Sequence, residues 1–309
     1  MPFSKEQVLP NLHFIERGYL NGNHFLAVGE DSVLIDSGYL GGLSETLAAL
    51  KSLGCDWKKT ARIIATHCHC DHVGANGFIQ QTTGCRVSMH PVGREIINAK
   101  DGLAAWWDYY GQEAEFFDCT DSISDGEEVR LGGHRFTALH APGHSRDILV
   151  FYSKEHRILL SSDALWENDM AVITAVIEGE DAAEVWLKSL DRLDELKVEV
   201  VYPGHGGRFE NFGEALAKTR TRLLRLVAAP VEAADDLLRK IMVYTLLMRG
   251  GAQEATFFES LMRTPWFPAT IDSHFGGEYR SKYDEVLERL KKRGAVTVSG
   301  GVILPMVKP

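Results

Sequence analysis

The chain has 309 residues, of which 45% are hydrophobic and 25% are charged, and its formal net charge is −10. This composition is typical of a globular protein with a sizeable core, and the length suggests about two domains of roughly 150 residues each. The negative charge disfavours general nucleic-acid binding, because phosphate recognition requires a positive surface.

Two further features bear on where the protein acts. No apolar run approaches the roughly 20 residues of a membrane span, and the N-terminus lacks the basic start and apolar stretch of a signal peptide. The five cysteines form an odd, scattered set rather than a disulfide framework. We therefore expect a cytoplasmic protein that acts on a small-molecule substrate away from membranes, with a homodimer as one possible assembly.

The first part of the chain has the pattern of short strands and hairpins. The predicted strands are Leu12–Ile15, His24–Val28 and Ser32–Ile35. Ser44 is a candidate N-cap for a helix through Leu53, and Gly54 is its expected end. An apolar run, Arg62–Ala65, follows as a predicted buried strand.

Directly after this strand comes the segment richest in ligand-type side chains. Three imidazoles and a carboxylate lie within six residues, at His67, His69, Asp71 and His72. Side chains alternate along a strand, so His67 and His69 project to the same side, and a helix is expected to begin at Asp71. Crowding these groups together is costly unless a cation offsets their desolvation and repulsion, so the segment indicates a metal site. Cys68 and Cys70 point away and are interpreted as packing residues.

An aromatic cluster lies further along, after a predicted strand at Arg86–Met89 and a predicted helix from Gly93 to Ala99. It contains Trp106, Trp107 and Tyr110. Such a cluster suits either an aromatic wall over an acyl chain or the buried packing of an inserted helix. Trp166 is a further candidate for the wall of a substrate pocket.

Three single ligand-type residues then occur at or just past the ends of predicted strands. They are His144 in a Pro-Gly turn, Asp163 after the apolar run from Ile158, and His205 after Val198–Tyr202 and a second Pro-Gly turn. In α/β folds, sites gather at the carboxyl ends of strands. The predicted strands of this block are Arg135–Leu139, Asp147–Tyr152 and Arg157–Leu160, and a helix is expected at Ala183–Leu193.

After Gly207 the sequence changes to a helical pattern. The predicted helices are Glu214–Val227, Val231–Met248 and Tyr279–Arg293, followed by a hairpin at 296–304 with a Gly-Gly turn. Trp266-Phe267-Pro268 is assigned to a connecting loop. The charge also changes, from 18 Lys or Arg against 31 Asp or Glu in residues 1–209 to 15 against 12 in residues 210–309. We expect this part to close one side of the active-site cleft or to mediate dimerisation.

Together these motifs resemble those of the metallo-β-lactamase superfamily, in its glyoxalase-II-like branch with a His-x-His-x-Asp-His run, over residues 10 to 210. The resemblance implies that a first metal is held by His67, His69 and His144, and a second by Asp71, His72 and His205. It implies that Asp163 bridges the two metals and that Asp36, at the end of a predicted strand, orients a liganding imidazole.

The resemblance also implies a fold and a domain division. Two β-rich blocks, each followed by a helix and a strand, fit an α/β fold of the αββα sandwich type, whereas periodicity alone indicates only a mixed α/β protein. We predict a catalytic domain at residues 1–210 and a mostly helical C-terminal domain at 211–309. The C-terminal part loosely resembles the winged-helix tail of some hydrolases with this fold.

The ligand set predicts a hydrolase that uses a metal-bridging hydroxide oriented by Asp71. Two divalent metal ions are expected, with zinc favoured and iron or manganese as alternatives, because imidazole and carboxylate ligands suit all three. A thioester or ester of a small acyl group is the favoured substrate. The alternatives are lactone hydrolysis, phosphodiester or RNA cleavage, a mononuclear-iron sulfur oxygenase, and a signalling effector with a metal site.

Overall fold

The computed structural model describes residues 3–29 and 31–308. The strands are β1 Ser4–Leu9, β2 Leu12–Glu16, β3 His24–Ala27, β4 Ser32–Ile35, β5 Thr60–Ile64, β6 Arg86–Met89, β7 Asp121–Ser122, β8 Glu128–Leu131, β9 His134–His140, β10 Leu149–Ser153, β11 Ile158–Ser162, β12 Val200–Pro203, β13 Ala252–Gln253, β14 Val296–Ser299 and β15 Val302–Pro305. The helices are α1 Leu43–Ser52, α2 Cys70–Val73, α3 Asn76–Thr83, α4 Pro91–Asn98, α5 Trp107–Tyr110, α6 Ala175–Glu178, α7 Ala182–Asp194, α8 Phe212–Ala228, α9 Pro230–Arg249, α10 Glu254–Met262, α11 Trp266–Phe275 and α12 Tyr279–Lys292. Short 3-10 helices lie at Leu40–Gly42 and Trp57–Lys59.

The strands form three sheets. In the first, β1 to β7 lie side by side in chain order; the pairs up to β4 are antiparallel and those from β4 to β7 are parallel. The second sheet has the order β12-β11-β10-β9-β8, with β11 and β12 parallel. Because β5, β11 and β12 each end at the same edge of the molecule as the ligand-type residues, the sheets bring distant parts of the chain to one place.

Hydrophobic side chains define four layers. Phe14, Phe136 and Phe151 are among those buried between the two large sheets. Residues of α1, α3 and α4 cover the outer face of the first sheet, while α7 and α8 cover the second. This is the αββα sandwich with helical C-terminal elements that the sequence predicted, and the predicted fold class is confirmed.

The C-terminal elements pack directly on this sandwich. Leu238 of α9, Trp266 of α11 and Tyr283 of α12 belong to the same buried cluster as the helical layer of the first sheet. The hairpin β14–β15 forms as predicted, and β13 adds a third strand to it. Hydrophobic packing thus crosses residue 210, and the division into two domains at that residue stays a prediction.

Several local predictions are wrong in instructive ways. Trp266-Phe267-Pro268 is the first turn of α11 rather than a loop, because proline is tolerated where the helix N–H groups have no partner. Ser44 does not cap α1, which begins at Leu43 after Gly42; its hydroxyl donates instead to Glu45. The helix expected from Asp71 onward is divided into α2 and α3.

Among the described residues, no helix is both long enough and apolar enough to cross a bilayer. The cytoplasmic location stays a prediction.

Candidate metal centre

The ligand-rich segment lies in the turn between β5 and α2. His67 and His69 precede α2, and Asp71 and His72 lie on it. All four side chains are buried; the most exposed, Asp71, has 8% of its surface accessible. The remaining ligand-type residues reach the same place from turns that follow β9, β11 and β12.

The structure brings all seven predicted ligands together. Their ligand atoms form two groups, each with all separations within 4.8 Å, and these are His67, His69 and His144, and Asp71, His72, Asp163 and His205. Asp163 lies between the groups, because its Oδ2 is 3.5 Å from His72 Nε2, 3.6 Å from His144 Nε2 and 3.7 Å from His205 Nε2. His205 Nε2 is also 3.1 Å from Asp71 Oδ2.

The hydrogen bonding of the imidazoles tests whether this cluster fits metal ions. In the described residues, buried Nε2 atoms without a hydrogen-bond partner occur on His67, His69, His72 and His144. The other ring nitrogen is engaged in three of these rings. His144 Nδ1 lies 2.8 Å from Val172 O, His72 Nδ1 lies 2.8 Å from Asp36 Oδ2, and His67 Nδ1 lies 3.1 Å from the Thr66 hydroxyl oxygen. A proton held on Nδ1 leaves the Nε2 lone pair free for a metal. Buried, unpartnered acceptors that converge in this way fit divalent cations.

Asp36 stands behind this cluster. It follows β4 with a positive φ of 56°, and its carboxylate accepts hydrogen bonds from the Thr66 backbone N–H at 2.7 Å and the Thr66 hydroxyl at 2.8 Å. The same carboxylate faces His72 Nδ1. Asp36 therefore fixes both the orientation of the His72 ring and the start of the turn that carries His67, which is the orienting contact that the resemblance implies.

Three members of the cluster have protonation preferences that suit metal binding. Burial, together with the neighbouring imidazoles, lowers the pKa of His67 and His69 well below the usual histidine value. Both rings are therefore neutral, which is the form that binds a metal. Burial alone would raise the pKa of Asp163, but attraction to His205 and His72 outweighs it and holds that pKa well below its usual value. Asp163 is thus a carboxylate. For His72 and His205, by contrast, burial is outweighed by attraction to Asp163, which raises the pKa of both rings.

A glycine leaves room for this arrangement. Gly204 lies in the turn after β12, and a Cβ added there would overlap with the Asp163 carboxylate. Any side chain at this position would displace Asp163 or the turn that carries His205. The Pro-Gly-His pattern of the sequence therefore has a steric reason in the site.

The neighbouring cysteines and His140 do not join the cluster. Cys68 and Cys70 are fully buried; Cys68 Sγ lies 3.7 Å from Asp147 Oδ1, and Cys70 Sγ lies 3.4 Å from the Tyr244 hydroxyl. These contacts agree with their interpretation as packing residues. The ring of His140 stacks on another imidazole at 3.8 Å, outside both ligand groups.

A narrow cavity of about 70 Å³ opens onto the ligand cluster, and two of the four predicted pocket residues line it. The Trp106 ring packs 3.9 Å from the His69 ring, and Trp166 Nε1 lies 3.2 Å from Asp163 Oδ1. Both tryptophans contact metal-ligand candidates directly, so they wall the space in which a substrate would meet the metals.

Trp107 and Tyr110 do not line this cavity. Trp107 Nε1 donates to the Cys68 carbonyl at 3.0 Å, and the Tyr110 hydroxyl lies 2.7 Å from the Thr174 hydroxyl; both rings are buried. Trp107 and Tyr110 therefore pack behind the residues that line the cavity. The positive φ of 73° at Trp106 turns the chain so that only this first aromatic faces the cluster, a turn that the sequence pattern does not reveal.

The opposite wall of the cavity was not predicted from the sequence. Tyr19, Lys240, Ile241 and Tyr244 line the cavity, and three of these belong to α9. The helical spacing of apolar residues on α9 indicates a buried face, but only the fold shows that this face meets the metal cluster. The C-terminal part thus lines one side of this cavity, in agreement with the first of the two roles expected for it, while a role in dimerisation stays a prediction.

Comparison with known proteins assigns the chain to a family. The sequence profile of the Metallo-beta-lactamase superfamily matches residues 18–205, which include all seven ligand candidates. The chain belongs to the metallo-beta-lactamase superfamily. Metal binding is a general property of the superfamily, and the ligand cluster agrees with it.

Two similar curated proteins have thioesterase names. The chain is 27% identical over 260 residues to the acyl-coenzyme A thioesterase MBLAC2 of Bos taurus, covering 75% of this chain and 87% of that protein. It is 24% identical to an atrochrysone carboxyl ACP thioesterase of Aspergillus fumigatus, covering 83% of this chain and 72% of that protein.

A solved structure shares the fold over nearly the whole chain. This is a metallo-beta-lactamase family protein from Thermus thermophilus, with a TM-score of 0.60 and 23% identity, covering 97% of this chain and 100% of that one. The metallo-beta-lactamase SMB-1, with a TM-score of 0.59 and 17% identity, covers 74% of this chain. The likeness to the Thermus protein therefore includes the C-terminal elements.

Proposed function

We propose that this protein is a metal-dependent hydrolase that cleaves thioesters of small acyl groups. The observation that carries the proposal is the convergence of seven imidazole and carboxylate ligands, four of them with unpartnered buried Nε2 atoms, at the base of a cavity walled by tryptophans. The thioesterase names of two similar proteins support the thioester as substrate.

The chain offers places for two divalent ions. His67, His69 and His144 would hold one, Asp71, His72 and His205 the other, and Asp163 reaches both groups. Such ions would supply a coordinated water of lowered pKa and would polarise the scissile carbonyl. Imidazole and carboxylate ligands without a thiolate favour zinc and also accept iron or manganese, so we propose zinc as the native metal.

The protein side chains have separate roles in this reaction. Asp71 faces the cavity and, 3.1 Å from His205 Nε2, can accept a hydrogen bond from the attacking water and orient it toward the carbonyl carbon. Trp106 and Trp166 exclude bulk water and offer flat apolar faces to the acyl group. These assignments make Asp71 the catalytic residue and the two tryptophans the residues that position the substrate.

A substrate panel tests the proposal. An acyl-CoA, an S-acyl glutathione, a lactone and bis(p-nitrophenyl) phosphate should be compared at one enzyme concentration, with an Asp163→Ala preparation as the control for contaminating activity. We expect turnover of at least one thioester that is absent from the control. Phosphodiester turnover without any acyl turnover would contradict the proposal, and a preference for the lactone would replace the thioester as substrate.

A further inference from the structure

A large basic cavity lies away from the metal cluster, between α8, α9 and α12. Its volume is about 880 Å³, and seven of its lining residues are lysine or arginine whereas three are aspartate or glutamate. Basic residues thus outnumber acidic ones in this lining, on a chain whose net charge is −10. The wall also contains Phe275 and several aliphatic side chains.

Carboxylates pair with five of the seven cations that line this cavity. Asp235 is shared by Arg239, Lys282 and Arg289, at distances of 3.2, 2.7 and 2.7 Å. Glu285, outside the cavity lining, also pairs with Lys282 and Arg289. The positive charge that would attract an anionic ligand into this concave site therefore comes from the two remaining cations.

Two of the cations have no acidic partner at all in the described part of the chain. Neither Arg293 nor Lys218 has a carboxylate within 4.0 Å, among residues 3–29 and 31–308. Lys218 makes a hydrogen bond only to an amide oxygen, that of Asn168, at 3.2 Å. These two side chains are available for a ligand without breaking an ion pair.

The basic cavity and the metal cavity have a common neighbouring cavity between them. An intervening cavity of about 420 Å³ shares Arg239 and Arg293 with the basic cavity, and it shares Tyr19 and Lys240 with the metal cavity. Helix α9 runs along the whole path, since Glu232 lines one end and Tyr244 the other. These two residues are separated by roughly 18 Å along the helix axis.

We propose that this basic cavity binds the adenosine 3′-phosphate 5′-diphosphate of coenzyme A, with the pantetheine arm lying along α9 and the thioester at the metals. The proposal rests on the thioesterase function proposed above and names the carrier of the acyl group. Arginine side chains bind phosphate groups with paired N–H donors. The Phe275 ring offers an apolar face for the base, and the path along α9 is comparable in length to an extended pantetheine arm.

A concave cavity favours coenzyme A over an acyl carrier protein. The phosphopantetheine of a carrier protein has one phosphate and no nucleotide, so it would leave most of a cavity of about 880 Å³ unfilled. Hydrolysis of an acylated carrier protein together with failure to hydrolyse acyl-CoA is therefore an outcome that would overturn the proposal.

Binding can be measured separately from catalysis. Adenosine 3′,5′-bisphosphate should be titrated calorimetrically into the full-length protein and into Arg293→Gln and Lys292→Gln variants. Lys292 is adjacent in sequence, exposed and outside the cavity lining, so it is the matched control. We expect the Kd to rise about three- to tenfold for Arg293→Gln, since a charge-assisted hydrogen bond to phosphate is lost from a partly exposed site, and to stay unchanged for Lys292→Gln.

Kinetics then connect this binding to the reaction. Acyl-CoA should have a lower KM than the same acyl group on pantetheine. In the Arg293→Gln variant the KM values of these two substrates should be closer together, and kcat should change little. Raising the salt concentration should raise the KM for acyl-CoA more than that for acyl-pantetheine. Equal KM values for the two substrates, or no binding of the bisphosphate, would overturn the coenzyme A proposal while leaving the hydrolase proposal intact. Binding of the bisphosphate without hydrolysis of any thioester would instead contradict the proposed function.

Discussion

Two regions of the molecule indicate function in different ways. One is the ligand segment between β5 and α2, and the other is the set of C-terminal helices α8 to α12. In the first, four chemically specific side chains lie within six residues, and the strand order alone brings their remaining partners to the same edge. In the second, individual residues are ordinary in type, and the basic cavity arises only when three helices pack together. Short-range motifs therefore indicate the metal chemistry of this protein, whereas the proposed coenzyme A site depends on long-range packing.

The largest expected effect comes from separating the two regions. A chain truncated after residue 210 should be insoluble or inactive, because it exposes the apolar surface against which Leu238, Trp266 and Ile271 are fully buried. Each such side chain contributes about 1.5–3 kcal/mol, so their combined loss approaches the roughly 5–15 kcal/mol stability of a whole domain. Solubility, circular dichroism and turnover test this, and a soluble, fully active fragment would show that the sandwich is complete without the helices.

A change confined to the ligand segment should be nearly as severe for activity but mild for folding. His69→Ala should lose bound metal and lower kcat/KM by more than about 100-fold. Loss of a residue that only hydrogen-bonds to a metal ligand already lowers metal affinity or activity about 10–100-fold, and His69 is itself a proposed ligand. His274→Ala, at an exposed position on α11, is the control. Thioester turnover and metal content should fall together in the first variant only; retention of both by His69→Ala would remove this residue from the site.

A glycine substitution tests how tightly the site is packed. Gly204→Ala should destabilise the protein by about 1–3 kcal/mol, because the new methyl group overlaps with the Asp163 carboxylate. Gly213→Ala is a suitable control, since Gly213 lies in the first turn of α8 and a Cβ added there would meet no other atom within 4 Å. Chemical denaturation of both variants measures the difference, and an unchanged free energy of unfolding for Gly204→Ala would mean that the turn can relax.

The last prediction concerns the pH dependence of stability and a single buried carboxyl group. Burial raises the pKa of Asp147, next to the His144 turn, to about 7. Between about pH 4 and pH 7 the unfolded chain releases this proton while the folded chain retains it, so the stability falls as the pH rises, by roughly 1.4 kcal/mol per pH unit. Asp147→Asn should flatten this dependence in denaturation experiments between pH 4 and pH 7. Identical pH profiles for the two proteins would show that Asp147 ionises normally.

The sequence alone predicted most of the ligand cluster but little of the contribution of the C-terminal helices to the cavity. Asp163 and His205 could be found because each follows an apolar strand. The order of strands and helices indicated only a mixed α/β protein, and the αββα sandwich followed from the resemblance of the motifs to a known superfamily. The cavity-lining Tyr19 and Tyr244 could not be found, because they are separated by more than 200 residues and meet only through the packing of α9 on the sandwich. Helix α11 was not predicted because Pro268, which usually indicates a loop, lies in its first turn.

The metal content of the intact protein tests the central claim most directly. Protein purified without chelator should contain more than about one equivalent of a transition metal per chain by elemental analysis. Asp163→Ala should contain clearly less, because Asp163 lies within 3.7 Å of an imidazole in each ligand group. A wild-type protein that binds no metal even when it is supplied, or an Asp163→Ala variant with full metal content and full activity, would contradict the account.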